Sequence, residues 1–383
     1  MKSLSLIATA TFGLEALVAQ ELRDLGYEDI SVDHGQVNFQ GTFADIAWTN
    51  LWLRCSDRIR WKILEFEATD FDKLFAEISE FPWGEILPEN AEFPVEGKSI
   101  KSQLHSVPAC QSVTKKAIVR SLQKKYKKEI FPEDGPLYRI ELSINKDQAI
   151  VTIDTTGPGL HKRGYRSLNS PAPLKETLAA GLLYISRWFP DIPLIDPFCG
   201  SGTIPIEAAL MGMNIPPGLN RSFVSEKWPQ LNKGIWENSR EKARAEISKE
   251  NREMYIRGFD QDWRVIKWAR KNSKNAGVEN LIHWQEQEVG ELSSPRKYGK
   301  IVCNPPYGER LEETKTAENL YKRMGKIFSS LDTWSFYVLT PHPRFERLFG
   351  RKANKKRKLF NGNIKVDYFQ FFGPKPPKKR GRL

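Results

Sequence analysis

A chain of 383 residues with a formal net charge of +12 exceeds one small domain and has the charge balance of a protein that meets a polyanion, nucleic acid being the commonest. Its four cysteines, Cys55, Cys110, Cys199 and Cys303, form no C-x-x-C pair and have no histidine cluster nearby, which argues against a disulfide framework or a zinc site and for reduced thiols in the cytoplasm. No apolar run approaches the length of a transmembrane helix, so no membrane association is expected.

The first 165 residues read as short strands alternating with helices. The opening L-S-L-I-A-T-A-T-F resembles a signal peptide, but Glu15 interrupts it. A strand over 5–10 and an amphipathic helix over 13–25 account for it better, with Leu14, Leu17, Val18, Leu22 and Leu25 on one face. A strand over 37–39, a helix over 43–53, a strand over 58–68 and a helix over 71–78 follow, and Phe81-Pro82-Trp83-Gly84 then breaks the pattern. The next helix, over 112–128, turns Val113, Ala117, Leu122 and Tyr126 towards a core. Its Lys116, Arg120, Lys124 and Lys128 recur every four residues as a cationic stripe. Like charges at that spacing repel, a cost that a phosphate partner would offset; an ordinary solvated face is the competing reading. Strands over 138–144 and 149–154 form a hairpin, and Gly157-Pro158-Gly159 marks a linker or loop.

Beyond about residue 166 the pattern becomes regular β-α alternation. Helices are predicted over 174–188 (introduced by Pro171 and Pro173), 203–213, 236–252 and 262–276, and strands over 193–195, 255–259, 282–285, 300–303 and 335–340. Strands over 358–360 and 364–372 flank Asn361-Gly362, read as a two-residue type I′ turn. The expectation is an α/β domain with a mostly parallel sheet and one reversed strand. From Arg351 onward there are twelve basic residues and one acid, Asp367, so nearly all the net charge sits there. Such a block reads as an arm for phosphate backbones or as a solubility tail.

Two motifs carry chemistry. Asp196-Pro197-Phe198-Cys199-Gly200-Ser201-Gly202-Thr203 follows a strand and opens a helix. Its glycines permit a sharp turn and close approach to a ligand, and a side chain at Gly202 would strain the backbone or strike that ligand. It lacks the G-K-[ST] of a phosphate-binding loop, and Pro205 breaks the dinucleotide pattern. It resembles the first motif of class I methyltransferases that use S-adenosylmethionine (SAM), which assigns Asp196, Phe198, Cys199, Gly200, Ser201, Gly202 and Thr203 to cofactor binding. Asp260, ending the next strand, is the candidate for the ribose hydroxyls, and Glu288, within 285–288, for the adenine amine.

Asn304-Pro305-Pro306-Tyr307 follows the strand over 300–303. An exocyclic base amine is a poor nucleophile because its lone pair is delocalised into the ring. The Asn304 side-chain oxygen and the Pro305 carbonyl can accept its N–H bonds and aim its lone pair at a methyl donor. Tyr307 can stack on an extruded base, and the prolines, Pro306 included, stiffen the loop. Asn304 thereby faces the cofactor as well.

D-P-F-C-G-S-G-T and N-P-P-Y-G-E-R-L, with S-V-P-A-C-Q-S-V-T-K-K-A-I-V at 106–119, L-H-K-R-G-Y-R at 160–166 and A-P-L-K-E-T-L-A-A at 172–180, resemble the THUMP-containing RNA N2-guanine methyltransferases, especially those of large-subunit ribosomal RNA. The resemblance covers nearly the whole chain. It implies a ferredoxin-like domain over 1–65, a THUMP RNA-binding domain over 66–165, a Rossmann-like SAM methyltransferase domain over 166–373 and a basic tail over 374–383. It also places Lys175, Glu176 and Thr177 beside the SAM carboxylate, and makes RNA the partner with no obligate protein partner. Many relatives carry a label as DNA N6-adenine methylases, because the same loop serves adenine and guanine. Transfer RNA, DNA adenine, and an RNA-binding factor with a relic catalytic domain are the alternatives.

Overall fold

The computed structural model describes residues 3–166, 174–231, 233–248, 253–308 and 311–377. Expectations for Pro171 and Pro173, for the end of the helix over 236–252, and for residues 378–383 of the basic tail lie outside the described residues. The chain divides into two units: Met1–Ala10, Val18–Leu160 and Arg221–Ala243 in one, and Thr11–Leu17, His161–Asn220 and Arg244–Leu383 in the other.

The elements from the N-terminus are β1 (Leu4–Ala10), α1 (Glu15–Asp24), β2 (Ser31–Asp33), β3 (Gln36–Gly41), α2 (Phe43–Trp52), β4 (Ser56–Glu67), α3 (Phe71–Glu80), β5 (Val95–Ile100), α4 (Val107–Tyr126), β6 (Ile140–Asn145) and β7 (Gln148–Asp154). The strands form one seven-stranded sheet in the order β2-β3-β1-β4-β7-β6-β5. The long β4 pairs with β1 and with β7, so the two expected N-terminal parts share a sheet. β2 and β5 were not anticipated. β5 is a parallel edge strand whose V-E-G-K-S-I carries too few β-formers to announce itself. The β6–β7 turn at Lys146-Asp147 has both φ angles positive, as a type I′ turn requires. Residues 221–243 cluster with this unit: Trp228 stacks on Tyr138 at 4.5 Å, and its indole N–H donates to the Leu137 carbonyl at 2.9 Å.

α4 begins at Val107 and ends at Tyr126, where Lys127 turns left-handed. Its buried face is Cys110, Thr114, Ala117, Ile118, Ser121 and Leu122, so Val113 and Tyr126 sit only at its margins. Lys116, Arg120 and Lys124 are exposed along one face, but Lys128 lies beyond the helix and ion-pairs with Glu89. The stripe therefore has three members on the helix. The αL cap breaks the four-residue repeat before its fourth.

The second unit contains α5 (Glu176–Ser186), β8 (Leu194–Asp196), α6 (Thr203–Gly212), β9 (Ile256–Asp260), α8 (Trp263–Asn275), β10 (Ile282–Glu286), β11 (Lys300–Cys303), α9 (Leu311–Ser329), β12 (Ser335–Thr340), α10 (Phe345–Phe349), β13 (Lys355–Asn361) and β14 (Ile364–Phe371); α7 (Lys233–Ala245) straddles the division. The sheet order is β10-β9-β8-β11-β12-β14-β13, parallel except for β14, which is the single reversed strand expected. Strand alternation sends Leu194, Val302, Tyr337, Leu339, Val366 and Tyr368 into the core beneath α5, α6 and α8. The alternate residues Ile195, Ile301, Cys303, Phe336, Val338 and Phe369 enter a second core with α9 and α10.

Three readings are corrected here. α9 and α10 were not predicted, and α7 starts at Lys233 and stops at Ala245 rather than running over 236–252. The β13–β14 pairing of Asn361 with Ile364 moves the turn to Gly362-Asn363, and of these only Gly362 has positive φ. That is type II′ with glycine first, one residue later than expected. Much of the expected basic arm is this hairpin. Among the described residues no helix is long and apolar enough to cross a membrane.

Candidate active site

In a parallel sheet, ligands bind outside the carboxyl ends of the strands, where the order reverses. Here β8, β9 and β11 deliver Asp196, Asp260 and Asn304 to one cavity of about 990 Å³. That volume is at the upper end for small-molecule sites and leaves room for a flat acceptor beside a nucleoside.

One wall is the turn after β8. The Asp196 carboxylate accepts the Phe198 N–H at 3.1 Å and is buried. Burial, with the charge of Asp260 added, pushes its pKa well above the carboxylate range. Asp260 accepts backbone N–H groups on both oxygens, from Gly200 at 3.0 Å and from Asp262 at 3.1 Å, so its remaining lone pairs face the cavity. Desolvation still raises its pKa despite those donors. Gly200, at φ +51°, has nothing within 4 Å of where a Cβ would stand, leaving the cradle open for a ligand. Gly202 differs: at φ +89° it caps α6, and a Cβ there would meet the Trp284 ring at 2.7 Å and the Ala269 Cβ at 3.0 Å. Its constraint is packing behind the turn rather than contact with a ligand.

Asp196, Phe198, Cys199, Gly200, Ser201, Thr203, Asp260, Glu288 and the Asn304–Tyr307 loop all line the cavity. Lys175, Glu176 and Thr177 do not. Lys175 caps α5, while Glu176 and Thr177 are buried behind the wall. There Arg166 donates to Thr203 Oγ1 at 2.7 Å and to the Leu174 carbonyl at 2.9 Å, and pairs with Glu176 at 3.4 Å. Burial pushes the Glu176 carboxyl up to about 7 against the pull of Arg166. Glu288 is engaged by Arg323 of α9 at 2.6 Å, whereas its neighbour Gln287 lines the same cavity without that charge.

The opposite wall is the loop after β11. The Tyr307 hydroxyl donates to Asn304 Oδ1, and Asn361 from the β13–β14 hairpin lines the same cavity. Beneath the loop, the buried Tyr321 hydroxyl donates to the Pro306 carbonyl at 2.9 Å and meets Thr340 Oγ1 at 3.1 Å. Burial pushes the Tyr321 pKa up to about 12, which keeps it a donor.

Tyr321, Arg323, Asn361 and Ile364 were absent from the sequence-derived site. Tyr321 had a readable signal: Ala317, Tyr321, Met324 and Phe328, all buried, repeat at helical spacing and mark the inner face of α9. Asn361 had none, because its place depends on the hairpin folding back across the sheet.

Comparisons with known proteins agree with this geometry. Residues 163–370 match the family described as RMKL-like, methyltransferase domain, residues 5–60 the RlmL ferredoxin-like domain, and residues 68–154 the THUMP domain. The chain is 49% identical to YpsC of Bacillus subtilis (strain 168), named as an RNA methyltransferase, across 99% of both proteins. It is 33% identical over 98% of its length to the ribosomal RNA large subunit methyltransferase K/L of Syntrophotalea carbinolica, of which it spans 56%. A Listeria monocytogenes str. 4b F2365 structure described as a predicted N6-adenine-specific DNA methylase superposes with a TM-score of 0.93 at 47% identity, covering 98% of this chain and 97% of that one. SMU.472, a methyltransferase-type structure complexed with SAH, superposes at 0.92 with 45% identity, covering 98% of this chain and 100% of that one. The chain belongs to the RMKL-like methyltransferase family and is a SAM-dependent methyltransferase with ferredoxin-like and THUMP domains ahead of its catalytic domain.

Proposed function

We propose that the chain methylates the exocyclic N2 amine of a guanine in RNA, with large-subunit ribosomal RNA as the substrate and the cytoplasm as its location. The observation that carries the reading is the sharing of one cavity by the glycine turn, Asp260 and the Asn304–Tyr307 loop. The RNA and ribosomal parts are supported by what relatives are named for, and by the THUMP match with the exposed stripe of Lys116, Arg120 and Lys124 on α4. On this reading the chain divides at 1–65, 66–165, 166–373 and 374–383, and Lys116, Arg120 and Lys124 hold phosphates.

SAM supplies a methyl group already activated on a positively charged sulfur. The open turn at Gly200 and the cavity-facing oxygens of Asp260 suit its amino-acid and ribose parts. Gln287 or Glu288 would meet the adenine. Lys175, Glu176 and Thr177 act from behind the wall, through Arg166 and Thr203, rather than by touching the cofactor. Asn304 Oδ1 and the Pro305 carbonyl accept the N–H bonds of the target amine, which takes the place on Asn304 that the Tyr307 hydroxyl holds. Asn361, which lines the same cavity, offers that hydroxyl a new partner while the Tyr307 ring stacks on the base. No strong base is needed, because the methylated amine is acidic enough to release its proton. Positioning and fixed dipoles supply the rate.

Nucleoside mass spectrometry after incubation with SAM and unmodified ribosomal RNA should find N2-methylguanosine. Finding only N6-methyladenine in duplex DNA would overturn the substrate while leaving the cavity chemistry intact. N2-methylguanosine only in transfer RNA would change the RNA class.

A further inference from the structure

The β13–β14 hairpin carries an unusual combination of side chains for the rim of a nucleoside pocket. Its tip is part of the cavity, since Asn361 and Ile364 line it. Ile364 is 39% exposed. β13 is the edge strand of the sheet, and residues 12–13 lie against it. Arg357 donates to the Gly13 carbonyl at 2.6 Å, and Gly13 approaches so closely that a Cβ would stand 2.8 Å from the Lys358 carbonyl. This contact presents Phe12, 43% exposed, edge-on to Phe360 with ring centroids 5.8 Å apart. Lys358 and Lys365 are exposed on the face of the hairpin that carries Phe360, with Lys365 directly across the ladder from that ring, and no carboxylate ion-pairs with them among the described residues. Lys356 by contrast is tied to Glu346.

Lysines on an edge strand can merely prevent sheet-to-sheet pairing. That reading leaves unexplained why two aromatic rings are held beside them, one residue from the hairpin tip whose Asn361 and Ile364 line the cavity. Cations that track a backbone, interleaved with rings on which bases stack, are what a single nucleic-acid strand requires. We infer that the hairpin, with Phe12, is a guide for single-stranded RNA: nucleotides flanking the target stack on Phe12 and Phe360, their phosphates meet Lys358 and Lys365, and the strand passes over the tip at Ile364 into the cavity. This rests on RNA being the substrate. The guide presents the target base at Tyr307 already unpaired, which removes part of the cost of extruding it.

The test uses the full chain and a fluorescein-labelled single-stranded RNA of mixed sequence, about twelve nucleotides long, within the site sizes such grooves cover. A duplex RNA of the same length serves as the control. The variant Lys358→Gln/Lys365→Gln should weaken single-strand binding and lower the log–log salt slope by about 1.4, from roughly 0.7 per phosphate contact. Phe12→Ala should weaken single-strand binding at least about fivefold with the slope unchanged and duplex binding unaffected. Both variants should keep wild-type SAM affinity by calorimetry, which shows the catalytic unit intact. If wild type binds RNA and both variants match it in affinity and slope, the guide is overturned and the RNA reading stands. Loss in the lysine variant with none in Phe12→Ala rejects the stacking platform. If wild type binds no RNA, both readings fall together.

Discussion

The two walls of the cavity are built on opposite principles. The turn after β8 is held by carboxylates: Asp260 gathers the N–H groups of Gly200 and Asp262, and Asp196 that of Phe198. The loop after β11 is held by neutral hydroxyls, those of Tyr321 beneath it and Tyr307 within it. On the proposed reading, the first wall's acid oxygens accept the ribose hydroxyls and face a cationic sulfonium, while the second wall's acceptors, aimed by uncharged groups, meet a neutral amine. The comparison teaches that cofactor affinity and turnover should separate by wall.

The largest expected effect is on the hydroxyl-held wall. Asn304→Ala should cut kcat by about 10²–10³, the usual cost of losing one pre-aimed polar group, with SAM affinity by calorimetry held within a few-fold. Equal losses in both would place the loop in the cofactor site and erase the contrast. Gly202→Val tests the packing behind the carboxylate wall. Its clash with Trp284 should cost about 1–3 kcal/mol and its positive φ another ~1–2, read as a lower Tm. A variant that keeps the wild-type Tm but loses SAM binding would restore Gly202 to direct ligand contact.

Asp260→Asn exchanges one acceptor oxygen for a donor facing a backbone N–H or the ligand, and should weaken SAM binding roughly 10-fold or more. A pH series sharpens this. The Asp260 pKa is raised, so its carboxylate is lost at higher pH than for a free Asp. SAM affinity should hold at neutral pH and fall as pH drops through that raised value, and Asp260→Asn should flatten the fall. Stability of the free protein has the opposite sign. The folded state binds this proton more tightly than the unfolded state, so its contribution rises as pH falls from the raised value towards the usual Asp value. The smallest effect belongs to Tyr321→Phe. Removing one neutral hydrogen bond to Pro306, worth about 0.5–1.5 kcal/mol, should lower kcat a few-fold to about tenfold and leave SAM affinity unchanged. Equal KM and kcat effects on the cofactor side would mean that Tyr321 supports the whole cavity.

Much of the contrast was legible before any coordinates. Asp196 to Thr203 and Asn304 to Tyr307 announce themselves because local chain chemistry, glycine at positive φ and proline-stiffened carbonyls, must be written into adjacent residues. The reversed strand was legible for the same reason, from a glycine-containing turn between apolar runs, although the turn lay one residue further on. Lys128 was misplaced because a repeat of four cannot reveal that Lys127 leaves the helix. Glu176 was placed at the cofactor by likeness of its segment, whereas it is buried against Arg166 and is not among the residues lining the cavity.

By itself, then, the sequence determined the two loops, the sheet type and the cationic character of the C-terminal segment, each encoded in neighbouring residues or in a period of two or four. Only the tertiary structure decided which distant groups hold those loops. Tyr321 reaches Pro306 across 15 positions, and Gly200 reaches Asp260 across 60. Arg357 meets Gly13 across 344. Such pairings arise when a twisted sheet packs its two faces and folds an edge hairpin back, and no local period of the chain records where those faces meet.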